Sequence, residues 1–300
     1  MSTLENRTDT SHPPTTGNGS YAMSVDVEDY FQVWAFSDVI DRKSWDGFPL
    51  RVEKATRRIL DMFAAADVKA TFFTLGWVAE RAPGLIRDIV DQGHELGSHG
   101  YDHVKVFDQS QSAFREDAGK TKKILEDCAG VAVKGYRAAG FSIDQRTPWA
   151  HQTLVELGYD YSSSEHPIAH DHYGNPNGSQ SAYRPIEGLE FVEAPVATVD
   201  VLGRRMSAAG GGWFRAAPYL ASKKLLSKAA VELNSPAIFY FHPWEIDASQ
   251  PRISGASRKA RFRHYLNLNR MEQKLTHLLA DYPWTRIDEA LGVDCKKEAA

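Results

Sequence analysis

Ala70-Thr-Phe-Phe-Thr74 is followed by a helical pattern from Gly84 to Gln92 and then by His94-Glu-Leu-Gly97. A short apolar run, an amphipathic segment and a second apolar run predict a strand, a crossover helix and a strand. Working outward, Tyr21-Ala-Met-Ser-Val-Asp26 predicts an earlier strand, and Arg51 to Ala66 sets Val52, Ala55, Ile59 and Phe63 at helical spacing. Downstream the pattern repeats: a helix from Ser112 to Asp127, strand-like Gly135-Tyr-Arg137, a helix from Pro148 to Leu157 and strand-like Tyr159-Asp-Tyr161. Apolar Leu189 to Val201, a helix from Pro218 to Glu232 and the strand Ala237-Ile-Phe-Tyr-Phe241 complete it. Such alternation implies an α/β fold of parallel strands with crossover helices, as an open sheet or a barrel. In either form a site belongs at the carboxyl ends of the strands.

With 42% hydrophobic and 25% charged residues, the chain of 300 residues has the composition of an ordinary globular protein. A formal net charge of −4 offers no basic field for phosphates, which argues against a nucleic-acid partner. Cys128 and Cys295 are far apart and form no CxxC, so no disulfide scaffold is expected. Met1 to Ser20, rich in Ser, Thr, Asn, Pro and Gly, is expected to be a disordered lead, and residues 293–300 a disordered tail. The lead lacks the charged and apolar regions of a signal peptide, and no stretch is apolar enough to span a membrane; cytoplasmic residence is the expectation. Residues 21–292 are expected to be a single domain with a helical C-terminal extension, in which His166 to Ala182 is an irregular loop, either substrate-shaping or merely exposed. Nothing in the sequence speaks to oligomeric state.

Several strand ends carry chemistry. Asp26-Val-Glu28-Asp29 puts three carboxylates within four residues, which would repel one another unless a cation or hydrogen bonds compensated them. In Ser98-His99-Gly-Tyr-Asp-His103 two histidines four apart can face the same way on a helical turn, as in other zinc sites. Arg137 could hold a carboxylate bidentately, and His242 directly follows an apolar strand. The plainer alternatives are a helix cap, surface histidines, an exposed salt bridge and a packed strand-end histidine.

Taken in order, SVDVEDYF, SHGYDH, GYRAAGFS, GGGWFR and FYFHPWE resemble the polysaccharide deacetylase family, the NodB-homology domain, from about Tyr21 to Leu291. The nearest likeness is to the subgroup associated with exosortase and exopolysaccharide loci. The resemblance implies an irregular (β/α) barrel with fewer than eight repeats and a hydrolase that removes N-acetyl groups from a polysaccharide or oligosaccharide. It implies one divalent metal, with Zn2+ preferred and Co2+, Ni2+, Fe2+ or Mn2+ as alternatives. Asp26 would be the general base, Arg137 its holder, His242 the general acid, and His99 and His103 metal ligands. The third ligand would be Glu28, which alternation turns the same way as Asp26, with Asp29 as the alternative. Gly140, Trp213 and Trp244 would contact substrate, Gly140 through its N–H. The sequence departs from the family's usual Thr-Phe-Asp-Asp-Gly, carries Ala139 where a proline is usual, and shows no tryptophan-bearing motif around Tyr159 to Ser164, so no partner for His242 is evident. A hydrolase of small non-peptide C–N bonds (a cyclic amide or formamido sugar) and a non-catalytic carbohydrate-binding protein are the rival readings.

Overall fold

The computed structural model describes residues 19–170 and 174–293. Most of the expected lead, the tail from residue 294 with Cys295, and residues 171–173 of the expected loop lie outside the described residues.

The strands are β1 (Tyr21–Val27), β2 (Thr71–Thr74), β3 (Glu95–Ser98), β4 (Gly135–Tyr136), β5 (Tyr161–Ser162), β6 (Val192–Glu193), β7 (Thr198–Val201), β8 (Arg204–Ser207), β9 (Ala237–Phe241) and β10 (Trp284–Thr285). Between and after them run helices α1 (Val52–Ala65), α2 (Gly76–Arg81), α3 (Pro83–Asp91), α4 (Gln111–Ala129), α5 (Ala150–Glu156), α6 (Gly211–Ala216), α7 (Tyr219–Glu232), α8 (Arg258–Tyr265), α9 (Leu268–Asp281) and α10 (Ile287–Leu291). The main sheet runs β10-β1-β2-β3-β4-β5-β6, with β9 also paired to β1, and every pair in it is parallel. It curls into a half-barrel clad by helices. A backbone bond from Ala197 N–H to the Ile238 carbonyl, 3.0 Å, links the segment after β6 to β9. Because both faces of the sheet are covered, β1, β2, β3 and β9 are buried almost throughout, as parallel strands require.

The expected helix at Gly84 to Gln92 is preceded by a further one, α2, which Pro83 separates from α3 by supplying an N1 residue with no N–H to donate. The apolar run Leu189 to Val201 divides into β6 and β7, and β7 turns back as an antiparallel hairpin with β8. Leu202 (φ 50°) and Gly203 (φ 73°) make that turn, and a fully exposed leucine at such a φ hides the turn from a reading based on Asn-Gly signals. Among the described residues no helix is long and apolar enough to cross a membrane.

At the amino-terminal pole of the barrel Glu95 is buried. Its carboxyl accepts from Thr71 Oγ1, from the Tyr161 hydroxyl at 2.8 Å and from Asp288 N–H at 3.3 Å. Burial, and then the Asp288 charge, push it well above its ordinary value of 4.5. A carboxyl whose pKa is raised by folding stabilises most while protonated, so its contribution is complete below about pH 4.5 and is lost as pH rises through the raised value. The melting temperature is therefore expected to fall between pH 5 and pH 8.5, and Glu95→Gln to flatten that slope by on the order of 1–3 kcal/mol at the alkaline end. Parallel slopes for the two proteins in thermal melts would show that Glu95 does not titrate in this way.

Candidate metal and catalytic site

At the opposite pole, β1, β3, β4 and β9 deliver their carboxyl-end residues to one place. Along β1, Ser24 and Asp26 share a face by strand alternation, and both meet Arg137, which leaves β4 wholly buried. Arg137 Nη1 donates to Asp26 Oδ1 and Ser24 Oγ, each at 2.7 Å. Its Nε and Nη2 donate to the Ser163 carbonyl (2.9 Å) and hydroxyl (2.8 Å), and its guanidinium lies 4.2 Å from the centre of the Phe73 ring. With both planes of contact filled, the arginine has one orientation, and so has Asp26.

His99 follows β3 directly, whereas His103 is brought back by a bend rather than by the helical turn expected from the sequence. Gly100 at φ 75° and His103 at φ 60° turn the chain, and both values lie in the left-handed region. The loop is fixed from outside: Asp117 of α4 accepts from Tyr101 N–H at 3.1 Å, and Arg42 donates from Nε to the Asp102 carbonyl (2.8 Å) and from Nη2 to that of His103 (3.2 Å). His103 is a non-glycine residue held in a costly conformation, which is common where a side chain must be aimed.

Donor atoms of Glu28, His99 and His103 lie within 4.8 Å of one another, and all three residues are buried. The arrangement fits a divalent cation on two further grounds. His99 Nδ1 faces the Arg137 carbonyl at 2.8 Å and must donate to it, which leaves Nε2 with a free lone pair, the usual state of a ligand histidine. Glu28 Oε2 stands 3.0 Å from His103 Nε2 but not in hydrogen-bond alignment, and has no hydrogen-bond partner among the described residues. Burial opposes ionisation of Glu28, yet the neighbouring imidazoles, His103 foremost, hold its carboxyl down at about 2. Burial pushes His99 down to about 4, so its ring is neutral near pH 7. Two imidazoles and a carboxylate are a donor set that would suit a hydrolytic metal centre.

Asp29 does something else. Its Oδ2 accepts from Arg51 N–H (2.6 Å) and Val52 N–H (2.7 Å), capping α1, and Oδ1 accepts from Tyr30 N–H.

His242 directly follows β9, its Nε2 3.9 Å from Asp26 Oδ2 and 3.6 Å from Glu28 Oε1. Its other nitrogen, Nδ1, lies 2.8 Å from Glu245 Oε1. Glu245, wholly buried, accepts at Oε2 from Arg215 Nε at 2.7 Å, and Arg215 also donates to the carbonyls of Arg263, His264 and Leu266. Burial works against a charged His242, but the Glu245 hydrogen bond and the charges of Glu28, Glu245 and Asp26 push it up to about 9. The partner absent from the region around Tyr159 to Ser164 is thus Glu245, within His242-Pro-Trp-Glu245 itself. Its spacing matches a capping box, with Glu245 also accepting from His242 N–H, and that signal was available in the sequence.

Trp244, expected on substrate, is 8% exposed. It stacks between His242 (centroids 5.3 Å) and His264 (4.2 Å), and its Nε1 donates to Glu28 Oε1 at 3.1 Å. It is a support for the site rather than an open platform. Trp213 stands 48% exposed on α6. From the same GGGWFR motif, Arg215 holds Glu245, and a Cβ at Gly211 would fall 2.1 Å from Glu245 Oε1, so the close approach requires glycine. Gly140 turns the chain at φ 59° against the Lys105 side chain.

Residues 44–162 match the family model described as polysaccharide deacetylase, and residues 163–292 match a domain of unknown function, DUF3473. A peptidoglycan-N-acetylglucosamine deacetylase of Bacillus cereus is 36% identical over 96 residues, 32% of this chain and 35% of that protein. One from Listeria monocytogenes is 37% identical over 75 residues, 25% of this chain and 16% of that protein. The matched part is thus well under half the length of either relative. The crystal structure of a "putative polysaccharide deacetylase" from Mycobacterium smegmatis superposes with a TM-score of 0.60 at 19% identity, covering 97% of this chain and 95% of that one. The fold is therefore the NodB-type (β/α) barrel, and the matches to the family model and the relatives support the polysaccharide deacetylase family.

Proposed function

We propose, from the premise that residues 44–162 are of the polysaccharide deacetylase family, that this chain is a metal-dependent hydrolase removing N-acetyl groups from a polysaccharide or oligosaccharide. The observation that carries the reading is the convergence of the donor set Glu28, His99 and His103 with the arginine-locked Asp26 and with His242, whose Nε2 lies 3.9 Å from Asp26 Oδ2 and 3.6 Å from Glu28 Oε1. A divalent cation held by that set supplies Lewis acidity toward an acetamide carbonyl, and zinc is the natural choice for two imidazoles and a carboxylate. Asp26, oriented through Oδ1 by Arg137, keeps Oδ2 for taking a proton from the attacking water. His242, with Glu245 on Nδ1, presents Nε2–H to the leaving nitrogen, which must be protonated because an amide anion leaves poorly. Gly140 is assigned an N–H that supports the developing oxyanion. The motifs' likeness to the exopolysaccharide-locus subgroup suggests a biosynthetic polymer as the substrate.

Zinc-loaded protein incubated with N-acetylglucosamine oligomers is expected to release acetate and free amine in equal amounts. Absence of both, across these oligomers and exopolysaccharide intermediates, would leave the carbohydrate-binding reading in its place.

A further inference from the structure

Between Asp247 and Glu272 the chain carries Arg252, Arg258, Lys259, Arg261, Arg263 and Arg270 and no acidic residue, a run of +6 in a chain of net charge −4, so that the remainder stands at −10. All of these basic residues are exposed. Along α8, Arg258, Arg261, Phe262 and Tyr265 stand at i, i+3, i+4 and i+7 and therefore share one face. With Arg252 and Asn267 they line a groove of about 430 Å3 in which no carboxylate takes part. The preceding segment is tied to that face: the Tyr265 hydroxyl accepts from Ile253 N–H at 2.8 Å, and the Arg252 guanidinium lies 4.1 Å from the centre of the Tyr265 ring. On other helices exposed arginines are matched with acids, as Arg57 is with Glu53 and Arg58 with Glu272. Arg252, Arg258 and Arg261 have no carboxylate partner among the described residues.

Phe262, on the same face, is 66% exposed. A single exposed ring is common on protein surfaces, but one set beside unpaired arginines says what the partner must offer. A dissolved phosphate or carboxylate would pair with the guanidiniums and leave the ring in water. The surface of an anionic bilayer meets both needs, with headgroup phosphates for the arginines and an apolar layer just beneath them for the ring. The net charge of the rest of the chain has the sign such a surface repels, which orients the molecule with α8 toward it. The inner face of α8 fixes what is then turned to the bilayer. His264, 3% exposed, stacks on Trp244 with centroids 4.2 Å apart, and Trp244 stacks on His242. One helix diameter, ~10 Å, thus separates the basic face from the wall of the candidate site.

We propose that α8 docks this chain on an anionic lipid surface, with Arg252, Arg258 and Arg261 on the headgroup phosphates and Phe262 inserted beside them, so that the His242 end of the barrel is held close to the bilayer. Docking requires no turnover, and its test is independent of the deacetylase reading. The full chain is sedimented with vesicles of phosphatidylcholine alone and with vesicles of phosphatidylcholine and phosphatidylglycerol in equal parts. Wild type is expected to pellet with the second and not with the first, and to be released as salt rises from about 0.1 M to about 0.5 M. Arg258→Gln and Arg261→Gln are each expected to lower the partition coefficient about fivefold, and the pair about 25-fold. Phe262→Ser is expected to lower it by about fivefold as well, through lost apolar burial. Since these side chains are exposed, the variants are expected to melt with wild type, and Arg252→Gln stands in for any that does not. Wild type that stays in the supernatant with both kinds of vesicle at low salt, or a double arginine variant that pellets as well as wild type, overturns the proposal. Retention on polygalacturonate that needs the arginines, ignores Phe262→Ser and comes without vesicle binding overturns it as well, and gives the face to a soluble polyanion instead.

Discussion

Replacing His99 and His103 together by alanine is expected to leave the purified protein without a bound divalent cation and to lower acetate release by about 10³-fold or more. The size follows from what is lost: a Lewis acid worth several kcal/mol goes, and a lone carboxylate cannot hold the ion against solvent. The single variants separate the two neighbouring acids. Glu28→Ala is expected to weaken cation binding, as titration against a chelator reads it, much more than Asp29→Ala. Asp29→Ala is expected instead to lower stability by about 1–2 kcal/mol with the cation retained, because two N–H groups at the start of α1 lose their acceptor. One equivalent of cation surviving in the double histidine variant would place the metal elsewhere, and weaker binding in Asp29→Ala alone would reverse the choice of carboxylate.

Much of the barrel is legible in the sequence because its strands are buried on both faces and its crossover helices are amphipathic. Ala237–Phe241 reads as a strand without help from anything distant, and α1 announces itself through Val52, Ala55, Ile59 and Phe63. What escapes is short or depends on partners far along the chain. β5 and β6 are two residues each, fixed only by pairing with a strand already in place. The last strand, β10, pairs with Tyr21 and Ala22 across almost the whole chain, and no local pattern distinguishes Trp284-Thr285 from a turn.

The site divides in the same way. Asp26, His99, His103, Arg137 and His242 are visible because chemistry-bearing residues directly after apolar runs are unusual. The supporting set is not. Arg215 is legible only as part of a glycine-rich turn, since its partner Glu245 is thirty positions further on and the carbonyls it holds lie further still. These supports also redistribute the site over the chain. Residues 44–162 supply His99, His103 and Arg137, β1 and the residue that follows it supply Asp26 and Glu28, and residues 163–292 supply β9, His242, Glu245 and Arg215. The part matching a domain of unknown function therefore closes the sheet against β1 and builds the wall around His242.

Asp26→Asn and His242→Ala are each expected to retain the cation while losing about 10²–10⁴-fold in turnover, the range of a positioned acid or base. The two lose it for different reasons, which the dependence on pH can separate. Asp26 must be ionised to accept a proton, so activity rises with pH; His242 must be protonated to give one, so activity falls again. For the falling limb the protein has raised His242 toward about 9 with the charges of Glu28, Glu245 and Asp26. A cation on Glu28 neutralises one of those charges, which places the limb of the working protein below that value, and metal-assisted ionisation of water can shape the rising side. Wild type should thus give a bell, Asp26→Asn a low rate that lacks the Asp26 rise and keeps the alkaline fall, and His242→Ala a residual rate without the alkaline fall. If His242 served only to pack the end of β9, His242→Ala would lower stability and leave the rate per folded, metal-loaded molecule near that of wild type. Acetate release normalised to bound cation distinguishes these outcomes, and a near-normal rate in His242→Ala would remove the proton-donor role while leaving the metal site and Asp26 in place.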